Sequence, residues 1–346
     1  MNKKLQVFTL AAAATLASVP TAGAQTANRR GRATQQAPAA GQQQQSALRS
    51  LPASDAVLTV DVRRVLDALP RLFANDQAKL GRINDDINDF KIQTGIDPRQ
   101  FERIVVGASF TQTPSGATKI EPVVVASGTF NSNALVAAAR IAAASKGKVE
   151  EQKHRGKSVH VFTLNQQVSL LNLRFTELAV TALDANTIAF GKLERVRAAL
   201  DAQAGTGARA AADVVALATR DPQALIGMGG NLPASLTAKL DFLNPEISRS
   251  IAAIRQFYGT VNLGDTSFSL NSVFRTETPA AARTLGDTVE GLKQLAPVII
   301  STQLSGERAR LARAGLDGTK VAVQGSEVQI KLDLPQEDFS AILRVF

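Results

Sequence analysis

The chain has 346 residues and a formal charge of +9, with no cysteine, no tryptophan and a single tyrosine. Without cysteine it forms no disulfide, offers no thiolate to a metal, and lacks the residue through which bacterial lipoproteins receive their lipid. The charge excess does not describe a nucleic-acid surface. Six basic residues, Lys3, Lys4, Arg29, Arg30, Arg32 and Arg49, precede the first acidic one, Asp55, and removing them leaves only +3 on residues 51–346. With one tyrosine to stack on bases, no nucleic-acid partner is expected.

Residues 1–24 read as an export signal, with Lys3 and Lys4 at the charged start, "VFTLAAAATLASV" as the apolar middle and Ala22-Gly23-Ala24 as the cleavage site. The apolar middle is shorter than the roughly 20 residues of a spanning helix, and no later run is long enough, so no transmembrane segment is expected after cleavage. The mature chain is expected to be periplasmic or secreted. Residues 25–50, built of Gln, Ala, Arg and Pro, have too little apolar surface to offset the entropy of ordering and read as a disordered spacer.

Beyond the spacer, "SDAVLTVDVRRVLDALPRL" begins as an alternating strand at Ala56–Val60 and becomes a helix within a few residues. Asp61 stands at that switch as a helix cap worth about 1 kcal/mol, with Arg63 and Arg64 as solvated residues of the first turn. A second helix covers about 76–94, a turn follows at Asp97-Pro98, and strands cover about 103–110 and "EPVVVASGTF". A helix capped at Asn131 or Ser132 leads to a hairpin turning at Gly156, then to the strands "ELAVTAL" and "NTIAFG" and the helix "LERVRAALDA".

After a junction at about 203–207 and a helix to about Arg220, the order repeats. "DPQALIGMGGNLPASLTAKL" parallels the opening strand and helix, "FYGTVNLGDTSFSLNSVFRT" gives paired strands, and "TPAAARTLGDTVEGLKQLAPVI" gives a helix. "KVAVQGSEVQIKLDLPQEDFSAIL" repeats the strand, turn, strand, helix ending. Adjacent strands joined by short turns predict an α+β fold of two related halves, 51–204 and 205–346, each a mainly antiparallel sheet with helices packed on one face.

The entry "LPASDAVLTVDVRRVL", the segments "TGIDPRQFERIVVGA", "GTFNSNALVAAA" and "HRGKSVHVFT", and the ending "DANTIAFGKLERVRAALD" together resemble a large group of exported bacterial proteins of unknown function. The resemblance implies duplicated α+β units and export. It carries no activity and no site residues.

Four motifs invite a chemical reading. Asp85, Asp86 and Asp89 of "DDIND" match a magnesium-binding pattern, but they lie off the apolar stripe of Leu80, Ile83, Ile87 and Phe90, as a solvated face would. "IGMGGN", at 226–231, resembles a dinucleotide loop, but Leu232 stands where the third glycine belongs, Pro233 follows at once, and the glycines suit close backbone packing. Ser145 and Lys148 fit SxxK, but Ser145 closes a helix instead of opening one. His154 and His160 sit on opposite arms of one hairpin among Lys153, Arg155 and Lys157, a poor setting for a metal or a neutral base. The terminal Phe346 of "AILRVF" reads as helix core, since a barrel needs many long strands with aromatic girdles.

No catalytic, cofactor-binding or metal residues are therefore assigned, and no cofactor is expected. The sequence points to an exported, non-enzymatic protein that binds an envelope protein or polymer. The alternatives are a carrier of an apolar small ligand held between sheet and Ala-rich helices, and a hydrolase with a dispersed triad.

Overall fold

The strand and turn signals build a single antiparallel sheet. A computed structural model describes residues 46–345 apart from 95–96, 114–117, 145–146, 171–172 and 235–244. Its strands are β1 (Ala56–Asp61), β2 (Phe101–Gln112), β3 (Thr118–Gly128), β4 (Gly147–His154), β5 (Lys157–Leu170), β6 (Leu173–Asp184), β7 (Thr187–Gly191), β8 (Ile226–Asn231), β9 (Ile254–Leu263), β10 (Ser267–Thr276), β11 (Thr319–Gln324) and β12 (Glu327–Pro335). They form a 12-stranded sheet in the order β11-β12-β10-β9-β8-β1-β2-β3-β7-β6-β5-β4. The protein is thus α+β with one large antiparallel sheet. The strands of 51–204 and those of 205–346 meet edge to edge where β1 pairs with β8, Val57 opposite Gly229.

The helices are α1 (Val62–Leu72), α2 (Gln77–Thr94), α3 (Ser132–Ala144), α4 (Leu193–Gln203), α5 (Ala212–Ala218), α6 (Pro245–Ala252), α7 (Pro279–Gln303), α8 (Gly306–Asp317) and α9 (Gln336–Val345). They occupy both faces of the sheet, not one. Side chains alternate along each strand, so the register assigns every residue to a face. Val57, Val105, Val123, Val125, Val159 and Val161 point to one face, where they pack under Val196 and Leu200 of α4 and Val214 of α5. Ala126, Phe162, Val180 and Ile188 point to the other, under Leu135 and Val136 of α3. That second face continues across the sheet beneath α1, α9 and α7, where Phe268 stacks on Phe339 and Val328 packs with Ala282 and Leu285.

The reason for two-sided packing is visible in the strands. β3 runs "PVVVASG" with every residue buried, the pattern of a strand covered on both faces. In β9, β10 and β12 the pattern alternates again. Gln256, Thr260, Asn262, Asn271, Arg275, Gln329 and Lys331 share the face that α4 and α5 cover elsewhere, and there it is partly open to solvent, with Arg275, Gln329 and Lys331 exposed while Tyr258 and Val273 on the same face stay buried.

Individual signals behave as the local chemistry dictates. Asn131 caps α3, its Oδ1 accepting from Ala134 N at 3.0 Å. Arg155 and Gly156, both at positive φ, make the tight β4–β5 turn. Residues 46–50, read from sequence as the end of the spacer, form a helical turn. Ala47 is fully buried in the core, and Ser46 Oγ donates to Asp184 at 3.2 Å.

"IGMGGN" is itself the central strand β8, not a loop after a strand. A Cβ on Gly227 would fall on the carbonyl of Ala218, and one on Gly229 on the Leu217 side chain. The backbone of α5 therefore rests directly on bare strand, and Thr59 Oγ1 of β1 donates to the Ala218 carbonyl at 3.3 Å. Gly229→Val should push α5 off the sheet and cost about 2–3 kcal/mol in urea unfolding. Gly291→Ala, in open space on α7, should instead stabilise by about 0.5–1 kcal/mol.

Candidate functional site

The strand-to-helix switch at Asp61 is a structural node. Asp61 Oδ1 accepts from Arg64 N at 3.0 Å and caps α1. Its Oδ2 accepts from Arg103 of β2 at 3.0 Å, and both side chains are nearly buried. Burial pushes the Arg103 guanidinium below its usual range, and Asp61 opposes that shift. Arg64 is not simply solvated: its guanidinium donates to the Gln223 carbonyl at 2.6 Å and ties α1 to the segment leading into β8. Arg63 is solvated, with 72% of its side chain exposed.

The other motifs are dispersed. Asp85, Asp86 and Asp89 stand exposed on α2, and no cluster of three or more potential metal ligands occurs among the described residues. Ser145 lies outside the described residues. Lys148 is on β4, paired with Glu150. The two histidines point to opposite faces of the sheet, since His154 is opposite Lys157 while His160 is opposite Glu151. His154 Nε2 meets Asp201 of α4 at 2.9 Å, and Arg155 Nε donates to the same oxygen at 2.8 Å. These two partners hold the Asp201 carboxyl below the usual range. The arrangement pins the hairpin tip to α4. His160 is buried under α3, and its Nδ1 has no hydrogen-bond partner among the described residues.

A cleft of about 710 Å³ opens between the end of α1, the β9–β10 turn and the start of α9. Its charges pair among themselves, Arg71 with Asp265 at 2.9 Å and Arg310 with Asp338 at 2.7 Å. Ser340 lines it, but neither histidine does, so no Ser-His relay forms there.

What the structure displays most plainly is apolar surface on α7. The first half of this 25-residue helix is seated on the sheet through Ala282, Leu285 and Gly286. Its second half runs past that seat. Leu292, Leu295, Val298 and Ile299 are exposed, Val298 by 63% and Leu295 by 59%, while Ile300 is buried. From Gln294 to Gln303 there is no charged residue. Leu292, Leu295 and Ile299 follow at i, i+3 and i+7 and so form one stripe. The sequence marks "LKQLAPVII" only as part of a helix. The available signal was that its apolar residues occupy more than one helical face.

No family model matches the chain, and no curated protein matches it. Among solved structures, crystal form I of TP0453 is similar at 9% identity with a TM-score of 0.44, covering 86% of this chain and 95% of that one. Crystal form III of TP0453 gives 8% identity and a TM-score of 0.45, covering 86% and 98%.

Two outcomes follow from the polar nodes. Asp61→Ala removes a cap and also strands the Arg103 charge, so the loss should exceed the cap alone and reach about 2–4 kcal/mol in urea unfolding. Arg63→Ala should cost under about 0.5 kcal/mol. For His160, burial lowers the imidazole below the usual histidine range; Glu151 opposes this, and Arg140 and Lys153 add to it. The unfolded chain then takes up a proton where the folded chain does not. Stability is full above the unfolded value, about 6.5, and is lost as pH falls below it toward the folded value. Between about pH 7 and 5, His160→Leu should flatten this slope in denaturation curves measured at each pH.

Proposed function

We propose that the protein is an exported, non-enzymatic binding module of the bacterial cell envelope, and that it engages a partner protein through the uncharged end of α7. The observation that carries this reading is the exposed stripe Leu292, Leu295, Val298 and Ile299 on a helix that outruns its seat. Contiguous exposed apolar surface of this kind costs solubility, and in monomeric proteins it marks interaction sites. An apolar centre without charge is also the composition of an interface core.

The carrier reading finds less support. The space under α3, where small side chains could have left a cavity, is filled by Phe130, Leu135 and Val136 against Phe162, Val180 and Ile188. A hydrolase reading would need a nucleophile beside a base and a carboxylate, and although His154 meets the Asp201 carboxylate at 2.9 Å, no serine or threonine hydroxyl bonds its ring among the described residues.

The strand order supports descent of the two halves from one unit. Outward from the β1–β8 seam, β1-β2-β3-β7-β6 on one side corresponds to β8-β9-β10-β12-β11 on the other. Each side also has a helical connection between its first two strands and ends in a helix. Two departures stand out. The closing helices α4 and α9 lie on opposite faces, and between the third strand and the final hairpin the first half carries α3 and the hairpin β4–β5, where the second carries α7 and α8. The proposed binding helix thus lies where the halves diverge.

A photo-crosslinking residue at position 295 should capture a discrete envelope protein that the same residue at exposed Asp67 does not. Leu295→Glu combined with Val298→Glu should abolish capture while leaving the thermal unfolding midpoint unchanged, because both side chains are already exposed. Equal capture at both positions, or binding unaffected by the double variant, would refute the reading. A lipid co-purifying in native mass spectrometry, with no protein captured, would favour the carrier.

A further inference from the structure

The sheet ends in two edges of opposite character. At one, β4 reads "GKVEEQKH", and Lys148, Glu150, Glu151 and Lys153 line it with charge of both signs. Such charges are the usual protection of an edge strand against pairing with another chain. At the other, β11 reads "TKVAVQ", with one charge, no proline and an unbroken six-pair register to β12 from Thr319↔Leu332 to Gln324↔Glu327. Lys320, Ala322, Val323 and Gln324 are exposed, and α7 and α8 cover only one face of the strand, leaving its outer row of backbone groups open.

We infer that β11 is a self-association edge, at which a second copy of this chain adds its own β11 antiparallel and continues the sheet across a two-fold axis. A two-fold axis normal to the sheet sets residues of the same face opposite each other, so the register can centre on Ala322. Val321 then faces the partner's Val323, and Lys320 faces the partner's Gln324. Because Lys320 pairs with Lys331 and Gln324 with Glu327 within each copy, the two rows through Lys320 and Gln324 set two lysines of one copy against a glutamine and a glutamate of the other, while the rows between them are uncharged. The strand is therefore complementary in charge to itself when reversed, and Lys320 never meets its own copy. Opposite charges across strands favour pairing, and like charges directly opposite oppose it. This inference rests on the edge alone and stands or falls separately from the α7 stripe.

The absence of native cysteine makes the register readable. Directly opposed residues in antiparallel strands have Cα atoms about 4.5–5.5 Å apart, within disulfide range. Ala322→Cys should therefore crosslink to itself under mild oxidation, whereas Lys320→Cys should not, and Lys320→Cys mixed with Gln324→Cys should. In sedimentation velocity the wild type should show a concentration-dependent dimer, lost in Ala322→Lys and in Ala322→Glu but recovered when these two are mixed. Thermal unfolding of dilute Ala322→Lys should match wild type, since Ala322 is exposed. A wild type that stays monomeric across its soluble range, or an Ala322→Lys dimer as tight as wild type, overturns the inference. A dimer abolished by Leu295→Glu but not by Ala322→Lys overturns it too, and assigns self-association to α7.

Discussion

The fold depends on the absence of side chains at Gly227 and Gly229. These positions let α5 lie on β8 at backbone distance, and they leave β1 on the other side free to pair with β8 through five residues. Without that seam, each half would expose a central edge strand as a template for unwanted pairing. With it, twelve strands form one sheet, and α5 clamps both strands of the joint through the bond from Thr59 to Ala218. A second pair of contacts reinforces the seam nearby, where Ala53 N donates to Ala208 O at 3.0 Å and Ala210 N to Leu51 O at 3.1 Å.

Much of this architecture was legible in the sequence, for reasons that can be named. Alternation in "AVLTVD", the Arg-Gly turn between two β-rich arms and the Asn131 cap are local signals, and local signals survive into the structure because nothing in the tertiary context opposes them. The sides of the sheet were not legible. Whether a helix lies above or below a strand depends on the parity of its connection, and a single residue reverses it. "LERVRAALDA" and "QEDFSAIL" follow their hairpins in similar order, yet α4 and α9 settle on opposite faces. The run of 46–50 escaped for another reason. Ala47 and Leu51 are too few to give a period, and only their fit against β1, β2 and α4 makes them core.

Reading chemistry from motifs met the same limit. Asp61 is the clearest case, because its capping role lies within four residues of sequence while its bond to Arg103 spans 42. The cap could be read; the buried charge partner could not. His154 and His160 show the converse, six residues apart and across one turn, yet on different faces because the pleat alternates. Sequence proximity suggested a pair that strand geometry separates.

The two faces also bear on where function can reside. Where β3 and β7 cross the middle of the first half both faces are packed, and an interior site there would require cavities that the valine and phenylalanine side chains fill. From β9 to β12 one face is partly open, but its polar groups satisfy one another, as Arg275 does with Gln256 at 2.5 Å and Glu327 at 2.6 Å, and Gln329 with Asn271 at 2.8 Å. A ligand there would have to replace bonds already made, which yields little net free energy. The α7 end and the β11 edge differ in this respect. An exposed leucine stripe gains from burial, and an unpaired strand edge gains hydrogen bonds without breaking protein ones. Both lie in the outer part of the second half; β11 corresponds in order to β6, whose outer edge is covered by β5 in the first half. The segment from Leu292 to Gln324 thus brings an exposed apolar helix end and an open, weakly charged strand edge together in one stretch of chain.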